Sequence, residues 1–237
     1  MTFFIPLVAL TLASGVVSHD GPDPVLAYPL DQRDLVKDTL KSRFGPDVSG
    51  AVGLRFAPIE KGGGCIFDSS SVALISKSHE SIAASLPVES ITLSAWVAVD
   101  EPQAWGGVIG CLVDNDSLEK GWVLGYDQNH FYFGLSTKGA DDGDGLMTYL
   151  KGNTRYESGK MYHVVATYDG QDAILYVNGR EEARTTLQSG AILYPDSAMV
   201  SLGAYRDSNE FNRHVGRLHD VRVYDLAADS KWVFERF

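Results

Sequence analysis

Residues 159–179 read GKMYHVVATYDGQDAILYVNG. Two runs of β-branched, aromatic and aliphatic side chains, Met161 to Tyr168 and Ala173 to Val177, flank Asp169-Gly170-Gln171-Asp172. Such runs suit a pleated, largely buried strand, and an Asp-Gly pair supplies the positive φ of a tight reversal, so the stretch predicts an antiparallel hairpin. Asn178-Gly179 starts a second reversal at once, and Glu182 to Leu187 offers the next strand. Three paired strands with one apolar face can stand by themselves.

The same pattern recurs on both sides of this stretch. Ile91, Leu93, Ala95, Val97 and Val99 alternate with Thr92, Ser94, Trp96 and Ala98, which predicts a central strand with apolar character on both faces near Trp96. Val108 to Val113, Gly121 to Tyr126 and Phe131 to Ser136 follow at short intervals, separated by Asp114-Asn115-Asp116 and Asp127-Gln128-Asn129. Val25 to Leu30, Ala51 to Ala57, Ile66-Phe67, Val72 to Ile75, Leu146 to Leu150, Met199 to Tyr205 and Val215 to Tyr224 complete the predicted strands. Short strands with turn residues between them point to a sandwich or barrel. Lys61 to Gly64 reads as a loop tip, Ser76 to Ser85 as mildly helical, and Ala227 to Phe237 as a terminal helix.

The run Tyr162-His163-Val164-Val165-Ala166-Thr167-Tyr168-Asp169-Gly170, followed by Leu175-Tyr176-Val177-Asn178-Gly179, resembles the laminin-G-like, concanavalin A-like jelly-roll modules. Ile91-Thr92-Leu93-Ser94-Ala95-Trp96-Val97 and Gly216 to Tyr224 extend the resemblance to most of the chain from Val25 onward. It implies an all-β fold, a two-sheet antiparallel jelly-roll sandwich over residues 25–237. Met161 stands where the family usually shows Trp, a gap that a flexible thioether fills. Jelly rolls of this kind often hold one structural Ca²⁺, with a ligand two residues before a string such as Val221-Arg222-Val223-Tyr224. Here that position is His219, a poor ligand for a hard cation, leaving Asp31, Asp220 and backbone carbonyls to compensate. No metal ligand is assigned, and no cofactor is expected beyond that calcium. Asp141, Asp142 and Asp144 form another acidic cluster, read as a solvated turn because their spacing is not that of an EF-hand loop.

The 237 residues are 44% hydrophobic and 22% charged, with a formal net charge of −11. That composition suits a folded domain with a sizeable core. The charge, with no Lys/Arg block, disfavours nucleic acid as a partner. Phe3 to Val17 is an uncharged apolar run too short for a membrane span, and Val16-Val17-Ser18 offers modest side chains for cleavage, so residues 1–18 read as a secretory signal. Residues 19–24 would be a polar start, and the mature chain would be secreted, periplasmic or extracellular. In an oxidising compartment Cys65 and Cys111 are expected to pair, worth about 4 kcal/mol by loop entropy. The alternative is two buried free thiols in adjacent strands.

No catalytic residue is assigned. Hydrolases of this architecture place paired carboxylates on one strand as Glu-x-Asp-x-x-Glu, a string this sequence lacks. There is no Gly-x-Ser-x-Gly elbow either, and His163, mid-strand, is read as structural. Trp105, Tyr149, Tyr156 and Tyr205 lie near predicted loops or strand ends, where exposed rings could stack on a ligand, whereas Trp96, Trp122, Phe131 and Phe133 are expected in the core. The reading is a non-catalytic recognition module for carbohydrate or an extracellular protein. A divergent glycan-active enzyme and a purely structural accessory domain are the alternatives.

Overall fold

The predicted meander is present: Tyr162–Tyr168, Ala173–Val177 and Arg180–Thr185 run antiparallel in chain order, with Val164 opposite Val177 and Ala173 opposite Thr185. The first turn is held by Asp169, whose Oδ1 accepts from the backbone N–H groups of Gln171 and Asp172 at 2.9 and 2.7 Å. At the second, Asn178 and Gly179 both take positive φ, 51° and 75°, the conformation of a primed hairpin turn. The structure is a computed structural model that describes residues 21–58, 64–115 and 117–237. The expected leader over 1–18 and most of the Lys61 to Gly64 tip lie outside the described residues.

Two antiparallel sheets stack. The first runs Arg180–Thr185, Ala173–Val177, Tyr162–Tyr168, Ile91–Val99, Gly216–Tyr224, Gly64–Phe67, Arg55–Ala57, and Leu26–Tyr28 also pairs with Gly216–Tyr224. The second runs Thr148–Arg155, His130–Leu135, Leu118–Tyr126, Gly106–Asn115, Val200–Leu202, Ala73–Ser76. Neighbours distant in sequence, such as Ile91–Val99 beside Gly216–Tyr224, give the jelly-roll crossovers. Between the sheets lie Leu93, Val97, Cys111, Trp122, Leu124, Phe133, Val164, Leu175 and their neighbours, all buried. Each large side chain removed from water there contributes about 1.5–3 kcal/mol. Within the core Trp122 Nε1 donates to Tyr194 Oη at 2.8 Å, and Tyr194 donates onward to Pro87 O at 2.7 Å.

The outer face of the first sheet is covered by the C-terminal segment. Thr92 Oγ1 donates to Leu226 O at 2.7 Å and accepts from Ala228 N–H at 2.9 Å. The helix Ser230–Arg236, capped by Asp229 Oδ1 accepting from Trp232 N–H, then lays Val233 against Val165, Ile174 and Tyr176. This corrects the expectation for Trp96, which is not in the core: its half-buried ring points outward, stacked on His163 at 5.0 Å and Phe237 at 6.0 Å.

Three further expectations change. Met199 to Tyr205 is not one strand, because Gly203 (φ 69°) breaks it. Val200–Leu202 stays in the second sheet, whereas Ala204–Arg206 leaves to pair with Phe211–Arg213 in a separate ribbon. Leu146 to Leu150 only overlaps the start of a longer polar strand, Thr148–Arg155, at the sheet edge. Cys65 and Cys111 are free, buried thiols rather than a bridge. They sit in different sheets, not adjacent strands, and burial pushes each up to about 12, so neither supplies the thiolate that disulfide exchange requires.

Two predictions follow from the packing beneath the ribbon. A Cβ on Gly107 would lie 2.2 Å from the backbone of Ala204 and Tyr205, so Gly107→Ala should lower stability by about 1–3 kcal/mol in urea unfolding and displace the ribbon. His214 is fully buried with Nδ1 2.9 Å from Tyr126 Oη, and desolvation draws its pKa from 6.5 to about 4. Between those values the unfolded chain binds the proton and the native one does not, so stability rises with pH across that window and is lost as pH falls through it. The expected loss is about 3 kcal/mol from pH 7 to pH 4; urea midpoints of His214→Gln across the same range should show a correspondingly flatter dependence.

Candidate functional site

On the second sheet's outer face one aromatic ring, that of Trp105, reaches solvent above a bed of tyrosines. Along Gly106–Asn115, Leu118–Tyr126 and His130–Leu135 the alternation turns Leu112 and Asp114, Val123, and Tyr132 outward. Thr148–Arg155 adds Tyr149, and the Ala204–Arg206 strand lays Tyr205 over the other side. Glycine makes the room: a Cβ on Gly134 would stand 2.7 Å from Val123 Cγ1 and 2.9 Å from Tyr149 Cε1. The result is a second, smaller apolar cluster of Leu112, Val123, Tyr132, Met147 and Tyr205, flanked by Tyr149.

Trp105 lies on top of it. Its ring centroid is 4.8 Å from Tyr149, 5.9 Å from Tyr132 and 6.0 Å from Tyr205, and the residue is 38% exposed. The tyrosines beneath are fixed by their hydroxyls. Tyr132 Oη donates to Gly106 O at 2.9 Å, and Tyr149 and Tyr205 both donate to Asp114 Oδ2. Burial pushes the Tyr149 and Tyr205 phenols up, with Asp114 adding to the shift in both, so both remain donors. Asp114 Oδ1 has no hydrogen-bond donor among the described residues. An exposed indole face on a rigid tyrosine bed beside a carboxylate oxygen can stack on an apolar ring face and accept a hydroxyl hydrogen.

Of the four residues singled out from the sequence, the structure gathers Trp105, Tyr149 and Tyr205 and separates Tyr156. Tyr156 is buried in the main core, packed on Phe131 at 5.2 Å and Tyr126 at 6.1 Å, with its hydroxyl donating to Asp127 O. Sequence reasoning missed Tyr132 and Asp114. Tyr132 alternates with the core residues Phe131 and Phe133, a signal that period-two reading could have used.

The calcium expectation meets a donor set that does not fit. Asp220, in a left-handed conformation (φ 49°), is tied to the N-terminal strand by its N–H donating to Pro29 O at 3.0 Å. Its Oδ1 accepts from Arg222 Nε at 2.7 Å, and Asp31 Oδ2 accepts from Arg33 at 3.1 Å. Asp31 Oδ1 is buried without a partner, but two carboxylates each already bound to a guanidinium group are not a Ca²⁺ cage. Among the described residues no three His, Cys, Asp or Glu side chains converge on a point. In the acidic loop, Asp141 Oδ1 accepts from the N–H groups of Gly143 and Gly145 at 3.0 and 2.9 Å and so shapes the turn. Among the described residues no helix is long and apolar enough to cross a membrane.

Comparison with known proteins agrees with this architecture. Pappalysin-1 of Mus musculus is 30% identical over 144 residues, which cover 55% of this chain and 9% of that protein. The chain spans under a tenth of the length of the curated relatives it matches. Among solved structures, domain 4 of AbnA, a GH43 extracellular arabinanase from Geobacillus stearothermophilus in complex with arabinotriose, superposes with a TM-score of 0.64 at 16% identity. That match covers 90% of this chain and 97% of that one. A Trypanosoma rangeli sialidase mutant displaying trans-sialidase activity matches with a TM-score of 0.62 at 19% identity, over 89% of this chain and 32% of that one. At those identities the two structures share the fold. Residues 75–234, which take in most of both sheets and the terminal helix, match the family's sequence profile, and the chain belongs to the concanavalin A-like lectin/glucanases superfamily.

Proposed function

We propose that residues 25–237 form a secreted, non-catalytic recognition module, released from a signal over 1–18, that binds carbohydrate on the Trp105 platform. The observation that carries this reading is the exposed indole of Trp105 seated on Tyr149, Tyr132 and Tyr205, with Asp114 beside it. A sugar ring presents an apolar face of C–H groups that suits the indole, and its equatorial hydroxyls suit a carboxylate acceptor. The bed is pre-organised, so little side-chain freedom is lost on binding. The arabinotriose bound to AbnA domain 4, a protein of the same fold, supports a sugar as the ligand class.

A glycan array probed with the folded chain tests the reading: discrete neutral glycans should bind, and a flat array would sink it. Reducing ends released from a polysaccharide panel would show the non-catalytic part to be wrong. Trp105→Ala should weaken a bound glycan at least tenfold by calorimetry, about 1.4 kcal/mol, with the chain still folded by circular dichroism. Asp114→Ala strands two phenolic hydroxyls, so it should lower stability by about 1–3 kcal/mol in urea unfolding, and Asp114→Asn, which keeps an acceptor, by less.

A further inference from the structure

The ribbon of Ala204–Arg206 and Phe211–Arg213 sets Arg206 opposite Phe211 and Ala204 opposite Arg213. Side chains alternate across a ribbon, so Arg206, Phe211 and Arg213 share one face while Tyr205 and Asn212 share the other. Tyr205 faces the aromatic site. On the opposite face, the guanidinium carbons of Arg206 and Arg213 stand 4.2 and 4.0 Å from the Phe211 ring centroid.

Acidic residues outnumber basic ones, 31 to 20, and Arg33, Arg55, Arg184 and Arg222 each hold a carboxylate. Neither Arg206 nor Arg213 makes an ion pair or a side-chain hydrogen bond with any described residue, and Arg213 Nε is buried with no acceptor. Arg43, Arg155, Arg180 and Arg236 also make no ion pair among the described residues, and what sets Arg206 and Arg213 apart is that both stack on one ring. Two cations gathered on one ring repel each other, and a buried guanidinium N–H without an acceptor is unfavourable. An oxyanion reaching the outer nitrogens of both guanidinium groups relieves that repulsion, because their planar forks match the oxygens of carboxylate or sulfate and stacking on a ring holds those planes.

The ribbon presents this pair on a fixed support. Asp207 Oδ1 accepts from the N–H groups of Asn209 and Glu210 at 2.9 and 2.6 Å, closing the turn. Asn115 Nδ2 donates to Ser208 Oγ at 2.8 Å, and Gln103 Nε2 donates to Arg213 O, which pin the tip and the base.

We propose that Arg206 and Arg213, stacked on Phe211, bind the carboxylate or sulfate group of an acidic polysaccharide, at a site separate from the Trp105 platform. The inference rests on the carbohydrate reading only for the choice of polysaccharide as the carrier of the anion.

The test measures binding of the full chain to polygalacturonate, dextran sulfate and uncharged dextran over a range of salt. Wild type should bind at least one polyanion, and comparison of the two polymers separates carboxylate from sulfate. Its affinity should fall as salt rises. Arg206→Gln with Arg213→Gln should cost at least tenfold and flatten the salt dependence, whereas Trp105→Ala should leave polyanion affinity intact. Absence of binding to both polyanions at low salt, or undiminished affinity in the double variant, overturns the proposal. Should the glutamine pair fail to fold, Arg206→Lys with Arg213→Lys keeps the charge but removes the forks. Several-fold weaker binding supports the site, and unchanged binding overturns it. Arginine-dependent polyanion binding alongside a flat neutral array would leave this site standing and remove the Trp105 reading alone.

Discussion

The two-residue period of the Ile91–Val99 strand is the constraint from which the rest follows. Ile91, Leu93, Ala95, Val97 and Val99 are all buried between the sheets, and the strand lies between Tyr162–Tyr168 and Gly216–Tyr224. A slip of one residue would turn Thr92, Ser94 and Trp96 into the core and every apolar partner out. Burial of those five side chains amounts to on the order of 10 kcal/mol, comparable with the whole stability of a domain. The outward residues hold the same register from behind: Thr92 is bonded at both ends to the C-terminal segment, and Ser94 Oγ lies 3.1 Å from His163 Nε2.

A sandwich has two outer faces, and this chain uses them differently. The first sheet's is covered by the chain's own end, with Val233, Leu226 and Trp232 packed over Val165, Ile174 and Tyr176. The second sheet's is filled by tyrosines and topped by Trp105. The difference begins at Gly203, where the chain leaves the second sheet and doubles back as a ribbon. That departure brings Tyr205 to Asp114 and so completes the aromatic bed, while turning two arginines to the other side. One ribbon of few residues thus supplies both proposed sites.

The fold was readable because its signals are local. The Asp169-Gly170 and Asn178-Gly179 turns and the alternation of Ile91 to Val99 each sit within a few residues, and the strands they predict are present. Thr148–Arg155 was under-read because an edge strand exposes polar side chains and carries no apolar run beyond Leu150. The Phe211–Arg213 strand was missed for the same reason, with only one apolar residue in three. The site was half visible. Trp105, Tyr149 and Tyr205 stand out as aromatics near strand ends, but their convergence depends on the crossover pairing of Gly106–Asn115 with Val200–Leu202, a long-range contact that no short window encodes. Tyr156 looked the same in sequence, yet its ring turns inward onto Phe131. The cysteines show the limit of a compartment argument, which says where thiols oxidise and not which sheet each one occupies.

Those two cysteines have a practical side. Cys65 and Cys111 are enclosed, and desolvation raises both thiols to about 12, so an alkylating reagent at neutral pH finds almost no nucleophile while the sheets stay together. Labelling therefore clocks the opening of the sandwich itself, one sulfur reporting from each layer.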